Sequence, residues 1–143
     1  MKVNLILEDS KELNGYENIN LGKVGRSDIS PEVDDASATE ILAHHVLQVC
    51  PLPQIEVVLT SWFKKLRLGG KLSVAGTEIY SVVRSYNYGH IGLSEFNKLM
   101  YASHNCSALN SEDIIDVFEK LGLKVTKKRL EGFYFVVEGE RTV

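Results

Sequence analysis

The stretch KKLRLGGKLSVAG, Lys64 to Gly76, sets two adjacent glycines between a charged segment with an apolar stripe and a run of β-favouring residues. Just upstream, QIEVVLTSWFKKLRL (Gln54 to Leu68) repeats Ile55, Val58, Leu59, Trp62, Phe63 and Leu66 at helical spacing, which predicts an amphipathic helix burying that stripe on a sheet. KLSVAG predicts the buried strand that follows. Paired glycines between such elements divide two tasks: one adopts positive φ as the helix C-terminal cap, and the other lets the backbone turn tightly into the strand. Helix, Gly-Gly turn and strand make a unit of an α/β sheet. Trp62, the single tryptophan, is read first as a packing anchor and only second as a ligand platform.

Toward the N-terminus, MKVNLIL (Met1 to Leu7) is short, apolar and β-compatible, and it stops at the acidic turn EDS. YENINL (Tyr16 to Leu21) alternates like a half-buried strand and follows the turn signal Asn14-Gly15. Roughly ten residues separate the two, fewer than the dozen or so of an ordinary parallel crossover. The first connection is therefore short. GKVGRSDISPEVDDASA (Gly22 to Ala38) has the composition of a surface loop or at most one helical turn, and TEILAHHV (Thr39 to Val46) predicts a central strand.

Toward the C-terminus, EIYSVVRSYNYG (Glu78 to Gly89) and LSEFNKLMYASH (Leu93 to His104) read as shorter helical pieces with aromatic content. NSEDIIDVFEKLGL is a clearer helix: Ser111 as the cap, acids in the first turn, Ile114, Ile115, Val117, Phe118 and Leu121 on the apolar face, and Gly122 at the end. LKVTKKRL and GFYFVVEG then predict a terminal β-hairpin joined at Glu131-Gly132.

At 143 residues, with 44% hydrophobic and 24% charged residues, residues 1–143 are expected to form one domain with a real core. A net charge of -3 argues against nucleic acid or an anionic membrane as partner, so Lys64-Lys65 and Lys127-Lys128-Arg129 read as solvated faces. Cys50 and Cys106 are far apart without CxxC spacing, and no N-terminal stretch joins a basic region to an apolar run. A reducing cytoplasm is the expected setting. No apolar run approaches the ~20 residues that span a bilayer.

The order of elements, and four segments within it, resemble a class I S-adenosylmethionine-dependent methyltransferase. MKVNLILEDSKELNGYENINL is similar to that family's opening, in which a strand of the form NLGxG leads to a turn and a second strand ending in an acid. SATEILAHHVLQV resembles deIyashvLEH, VLTSWFKKLRLGGKLSVAGTE resembles vLkEWyRvLKPGGkLiisvPD, and SEDIIDVFEKLGLKV resembles eeLkelLeeaGF. The resemblance covers nearly the whole chain and is closest to compact methyltransferase-like proteins of polysaccharide gene clusters and phage genomes. It implies an α/β, Rossmann-like sheet that is mostly parallel, with a C-terminal antiparallel hairpin and a shortened first crossover.

The same resemblance implies an S-adenosylmethionine site at the carboxyl ends of the strands, with glycines after the first strand and an acid ending the second. Carried onto this chain, the cofactor-binding positions are Leu5, Ile6, Leu7 and Glu8, with Ile6 and Glu8 at the glycines, and Asn20 at the ribose acid. Ile6 and Glu8 put volume and negative charge where the methionine part of the cofactor would lie. Asn20 retains a neutral acceptor in place of a charge-assisted one. Asp28-Ile29 resembles the acid-apolar pair that flanks adenine, although an ordinary loop acid fits equally well. Gln48 and Val49 stand where LEH has its acid and imidazole, Thr77-Glu78 where the family has PD, and Leu68 where it has proline before Gly-Gly.

His44 and His45 close the third strand near the implied pocket. Histidine can act as a base near neutral pH, so His45 is the candidate catalytic residue and His44 a candidate contact; adjacent strand residues point to opposite faces, which allows at most one into the site. A packed or surface imidazole is the competing reading for each. His90 and His104 lack metal-ligand spacing.

These substitutions favour a methyltransferase-fold protein with a degraded S-adenosylmethionine pocket, serving as a non-catalytic binding, scaffolding or regulatory subunit. Its partner would be another protein or a second copy, engaged through an exposed strand edge or the aromatic segment IYSVVRSYNYGHIGLSEFNKLMY. One alternative is a divergent active methyltransferase acting on a sugar or other small molecule, with Asn20, Asp28 and His45 holding and activating the reactants. Another is a pocket repurposed for a different metabolite.

Overall fold

The computed structural model describes residues 1–7, 11–22, 27–101 and 105–143. Glu8 and His104, singled out above, lie outside the described residues. The strands are β1 (Lys2–Ile6), β2 (Glu17–Asn20), β3 (Ala38–His44), β4 (Leu66–Thr77), β5 (Leu123–Glu131) and β6 (Tyr134–Arg141). They form one sheet in the order β2-β1-β3-β4-β6-β5. β1 pairs in parallel with β2 and β3, β3 in parallel with β4, and β6 runs antiparallel between β4 and β5. The mostly parallel sheet with a terminal antiparallel hairpin is thus as expected. So is the short first crossover: residues 7–16 join two parallel strands, and no helix occurs among the described residues of that link.

Four helices follow the predicted periodicities: α1 (Ile55–Lys65), α2 (Ile79–Asn87), α3 (Leu93–Tyr101) and α4 (Ser111–Leu121). α1 turns Ile55, Val58, Leu59 and Trp62 inward, and α4 turns in Ile114 and Phe118. Both stripes enter one core with Val3, Leu5, Ile41, Leu72, Val74 and Phe135 of the sheet. Each large side chain so enclosed contributes about 1.5–3 kcal/mol of burial. Trp62 is the anchor that was expected, fully buried, with its indole N–H donating to the Ser27 carbonyl at 3.1 Å. α2 and α3 are different in kind: α2 buries only Val82 and α3 buries no side chain. No helix among the described residues is long and apolar enough to cross a membrane.

Two expectations about the elements' ends need correction. α1 stops at Lys65, Leu66 is already extended (φ -72°, ψ 135°), and Gly69-Gly70 lies inside β4 rather than at a helix cap. The reason is that the last helical carbonyls are claimed from outside: Ala36 N–H donates to Lys64 O and Ser37 N–H to Lys65 O, each at 3.0 Å, while the Arg141 guanidinium donates to Leu66 O at 2.6 Å. The chain therefore enters the sheet early. Between the pairs Ala38↔Leu66 and Glu40↔Lys71, β4 carries extra residues, and this bulge is what the two glycines build. Gly69 takes φ +77°, and Gly70 brings bare backbone close to Ala38.

The other correction concerns α4. Asn110, not Ser111, is the cap: its side-chain oxygen accepts from Asp113 N–H at 2.8 Å. Ser111 is the first helical residue and is buried; its N–H and hydroxyl both donate to the Glu78 carboxylate at 3.1 Å. Glu78, itself 3% exposed, thus places a negative charge against the positive end of α4 from across the fold. Gly122 ends the helix with φ +94°, as expected.

Candidate cofactor crevice at the strand ends

From β1 the chain moves to β2 on one side and then returns to β3 on the other, so the strand order reverses between β1 and β3. In open α/β sheets the ligand crevice lies outside the carboxyl ends of the strands at such a reversal. The fold brings Ile6 and Leu7, Asn20, and His44 and His45 to this edge, at the ends of β1, β2 and β3 respectively. Leu5 and Ile29 are elsewhere: both are fully enclosed in the main core, 1% and 0% exposed.

Ile6 is directly opposite Asn20 in the register and is 7% exposed. Its carbonyl accepts Leu21 N–H at 2.8 Å, which extends the β1–β2 ladder past the strand ends. The Asn20 side-chain oxygen accepts Gly22 N–H at 2.6 Å, folding the tip of β2 back on itself in an Asx-type turn. Asp28 does the same one loop later, accepting Ser30 N–H at 2.9 Å, and Ile29 O then receives Glu32 and Val33 N–H in a single turn, within the loop or at most one turn expected of this segment.

The histidines occupy distinct surroundings. His44 shares a hydrogen bond with the Ser73 hydroxyl of β4 at 2.8 Å. His45 leaves the strand with φ +59°, a conformation uncommon for a residue with a β-carbon, donates its N–H to Ala75 O at 2.8 Å, and stands edge-on to the Tyr134 ring at 5.1 Å. That turn breaks the strand alternation, so alternation alone does not assign His45 a face. Packing around the ring pushes both pKa values below the ordinary 6.5, and at His44 the neighbouring His45 and Arg129 add cationic repulsion. Both imidazoles are therefore neutral at pH 7.

A stability prediction follows from that direction. Below about 6.5 the unfolded chain binds protons at both histidines more readily than the folded one, so stability falls as pH drops through 6.5 toward the lowered folded-state values. Urea midpoints measured from pH 8 to pH 5 should decline, and the part of the decline that begins near pH 6.5 should shrink in His44→Gln and His45→Gln.

Gln48 and Val49 sit in a 3₁₀ turn, Leu47–Val49, where Val49 is a core residue. The Gln48 carbonyl accepts Cys106 and Ser107 N–H at 2.8 and 3.1 Å. Its side-chain oxygen is buried without a protein partner beside a void of about 10 Å³ lined by Thr77, Asn105 and Ser107, room for about one water. Wider grooves lie away from the strand ends, one of about 600 Å³ around Asp34, Asp35, Lys64 and Lys65 and one of about 690 Å³ along α3. Ser73 and Tyr134, which hold the two histidines, were not anticipated: both contacts depend on cross-strand register between distant segments, and no local pattern announces them.

No family model matches this chain, and no curated protein matches it either. Solved structures do. An O-methyltransferase family protein from Burkholderia thailandensis superposes with a TM-score of 0.62 at 16% identity over 89% of this chain and 36% of its own. An S-adenosylmethionine-dependent methyltransferase of Thermotoga maritima, described as a possible histamine N-methyltransferase, gives 0.61 at 20% identity over 90% of this chain and 65% of its own. Magnesium protoporphyrin IX methyltransferase from Synechocystis, solved with bound S-adenosylhomocysteine, gives 0.57 at 10% identity over 89% and 51%. The chain spans about one third to two thirds of the length of these structures. At such identities the likeness is one of fold: this chain has the class I methyltransferase fold.

Proposed function

We propose that this chain is a methyltransferase-fold binding or scaffolding subunit whose strand-end crevice does not take S-adenosylmethionine. One observation carries this reading: the β-carbon branch of Ile6 and the folded-back side chain of Asn20 stand directly opposite one another where the cofactor would need bare backbone and an outward-reaching acceptor. The residues present do not fit the group. Asn20 gives its oxygen to Gly22 N–H, and a neutral amide offers ribose about half the strength of a charge-assisted bond. The exposed tyrosines of the weakly docked α2–α3 pair, Tyr80, Tyr86, Tyr88 and Tyr101, support a binding role, since aromatic side chains are enriched at interfaces.

Isothermal titration and thermal shift with S-adenosylmethionine and S-adenosylhomocysteine test it. Neither heat nor a shift is expected at ~1 mM ligand, whereas a ligand at a hundredfold its Kd would stabilise by about 2.7 kcal/mol and be plainly visible. Micromolar binding would overturn the reading. Ile6→Gly combined with Glu8→Gly is expected to create or improve binding; failure to do so would show that something other than side-chain bulk and charge closes the crevice.

A divergent active methyltransferase acting on a sugar or other small molecule is the second reading, and the backbone of His45 favours it. Non-glycine residues held at positive φ cluster at functional sites, and this one carries a neutral imidazole at the strand reversal.

A further inference from the structure

Cys50 and Cys106 are remote in sequence, yet the fold brings their segments together. Cys50 closes the Leu47–Val49 turn, its N–H donating to Leu47 O at 3.0 Å, and continues in extended conformation. Just before it, the Gln48 carbonyl accepts Cys106 N–H at 2.8 Å and Ser107 N–H at 3.1 Å, with the Ser107 hydroxyl 3.4 Å from the same oxygen. The segment carrying Cys106 is held further along as well: Leu109 is buried, pairs with Glu78 and accepts Ile79 N–H at 3.0 Å. Cys106 is thus clamped against the turn that carries Cys50.

From Cys106 Cα through the 2.8 Å bond to Gln48 O and on to Cys50 Cα, the contour is about 11 Å, and the 3₁₀ turn folds it shorter. A disulfide spans Cα atoms about 4.4–6.8 Å apart. The two thiols also sense one another: burial pushes the Cys50 thiol up from its ordinary value, and the charge of Cys106 adds to that rise. Beneath this segment lies the void of about 10 Å³ beside Gln48, lined by Asn105 and Ser107, the chain neighbours of Cys106. It gives Cys106 room to settle inward without unpacking the core.

We propose that Cys50 and Cys106 are the two halves of a reversible disulfide, formed by exchange with a low-molecular-weight disulfide such as oxidised glutathione. Their roles differ, because Cys106 is exposed while Cys50 is only 6% exposed. The Cys106 thiolate attacks one sulfur of the small disulfide and expels one small thiolate. With Cys106 capped, its charge no longer opposes ionisation of Cys50, which loses its proton, attacks the Cys106 sulfur and expels the second small thiolate. One small disulfide is reduced to two thiols, the two cysteines are oxidised, and their two protons pass to the leaving thiolates. A bridge closed at the upper end of its span is strained, and strained bridges are the readily reduced ones. The bond therefore suits a switch: oxidised, it locks the turn that follows His44 and His45 to the segment entering α4. None of these steps uses the strand-end crevice, so the outcome does not depend on what that crevice binds.

Intact mass and peptide mapping after incubation with ~5 mM oxidised glutathione, in native buffer and in ~6 M urea, test it on the wild type, Cys50→Ala and Cys106→Ala. Circular dichroism checks the folding of each. The native wild type should lose two hydrogens and yield a linked Cys50–Cys106 peptide pair. It should close at least about tenfold faster than in urea, because the fold raises the effective concentration of one thiol at the other. Dithiothreitol should restore both thiols. Cys50→Ala should stop at a glutathione adduct on Cys106, and Cys106→Ala should stay unmodified while folded. A native wild type that halts at the Cys106 adduct, joins Cys106 to a second molecule instead, or closes no faster than in urea overturns the proposal, since the fold then holds the thiols apart. A native wild type that does not react at all overturns it too, by showing that Cys106 is shielded.

Discussion

Trp62→Ala is expected to destabilise the protein by about 3–5 kcal/mol, lowering Tm by about 10–15 °C. The indole is fully buried where α1 meets the sheet, and it does two jobs. It fills the core with the bulkiest side chain available, and its N–H satisfies the carbonyl of Ser27, at the start of a loop that contributes Ile29 and Val33 to the same core. That loop has little secondary structure of its own; beyond Trp62 it is tied down by the ion pair of Asp35 with the buried Lys65 at 2.6 Å and by the bonds from Ala36 and Ser37 to the end of α1. Losing the indole therefore opens a cavity and strands a carbonyl at once. Trp62→Phe separates the effects, since it keeps most of the volume and removes only the donor, for about 1–3 kcal/mol. Urea unfolding followed by circular dichroism should show a lower midpoint with unchanged slope for both variants. A Trp62→Ala cost below 1 kcal/mol would mean that α1 does not pack as described.

What the sequence disclosed and what it hid divide along the distance over which each signal acts. The stripes of α1 and α4 were legible because helical spacing is local, and Gly122 because a left-handed terminus needs glycine. Asn110 and Ser111 were confused because both side chains can accept at a helix start, and only the arrival of Glu78, which lies far away in the chain, removes Ser111 from that role. At the candidate site, topology alone carried Ile6, Asn20 and the histidines to one edge, because strand ends gather wherever the order reverses. It did not reveal that Ile29 belongs to the core or that Asn20 turns back on Gly22; those follow from a loop conformation with no periodic signature.

The glycine pair that first pointed to an α/β unit provides the other large effect. Gly70→Ala is expected to cost about 2–3 kcal/mol and ~6–10 °C in Tm. A β-carbon there would stand 2.8 Å from Ala38 O and 2.9 Å from Arg67 O, both backbone atoms. Neither can retreat easily: Ala38 is paired with Leu66 immediately before the bulge, and the preceding residues are bonded to the end of α1. Gly69→Ala meets nothing within 4 Å, so its cost is only that of holding an L-residue at φ +77°, about 1–2 kcal/mol, and Asn at that position should cost less. The ranking separates two explanations of the same dipeptide. If the pair served as a helix cap, the residue with positive φ would dominate and Gly69→Ala would be the worse substitution. In a bulge pressed against a neighbouring strand, the crowded position dominates, so Gly70→Ala should be the more damaging by urea midpoint, and the reverse order would return the glycines to the end of α1.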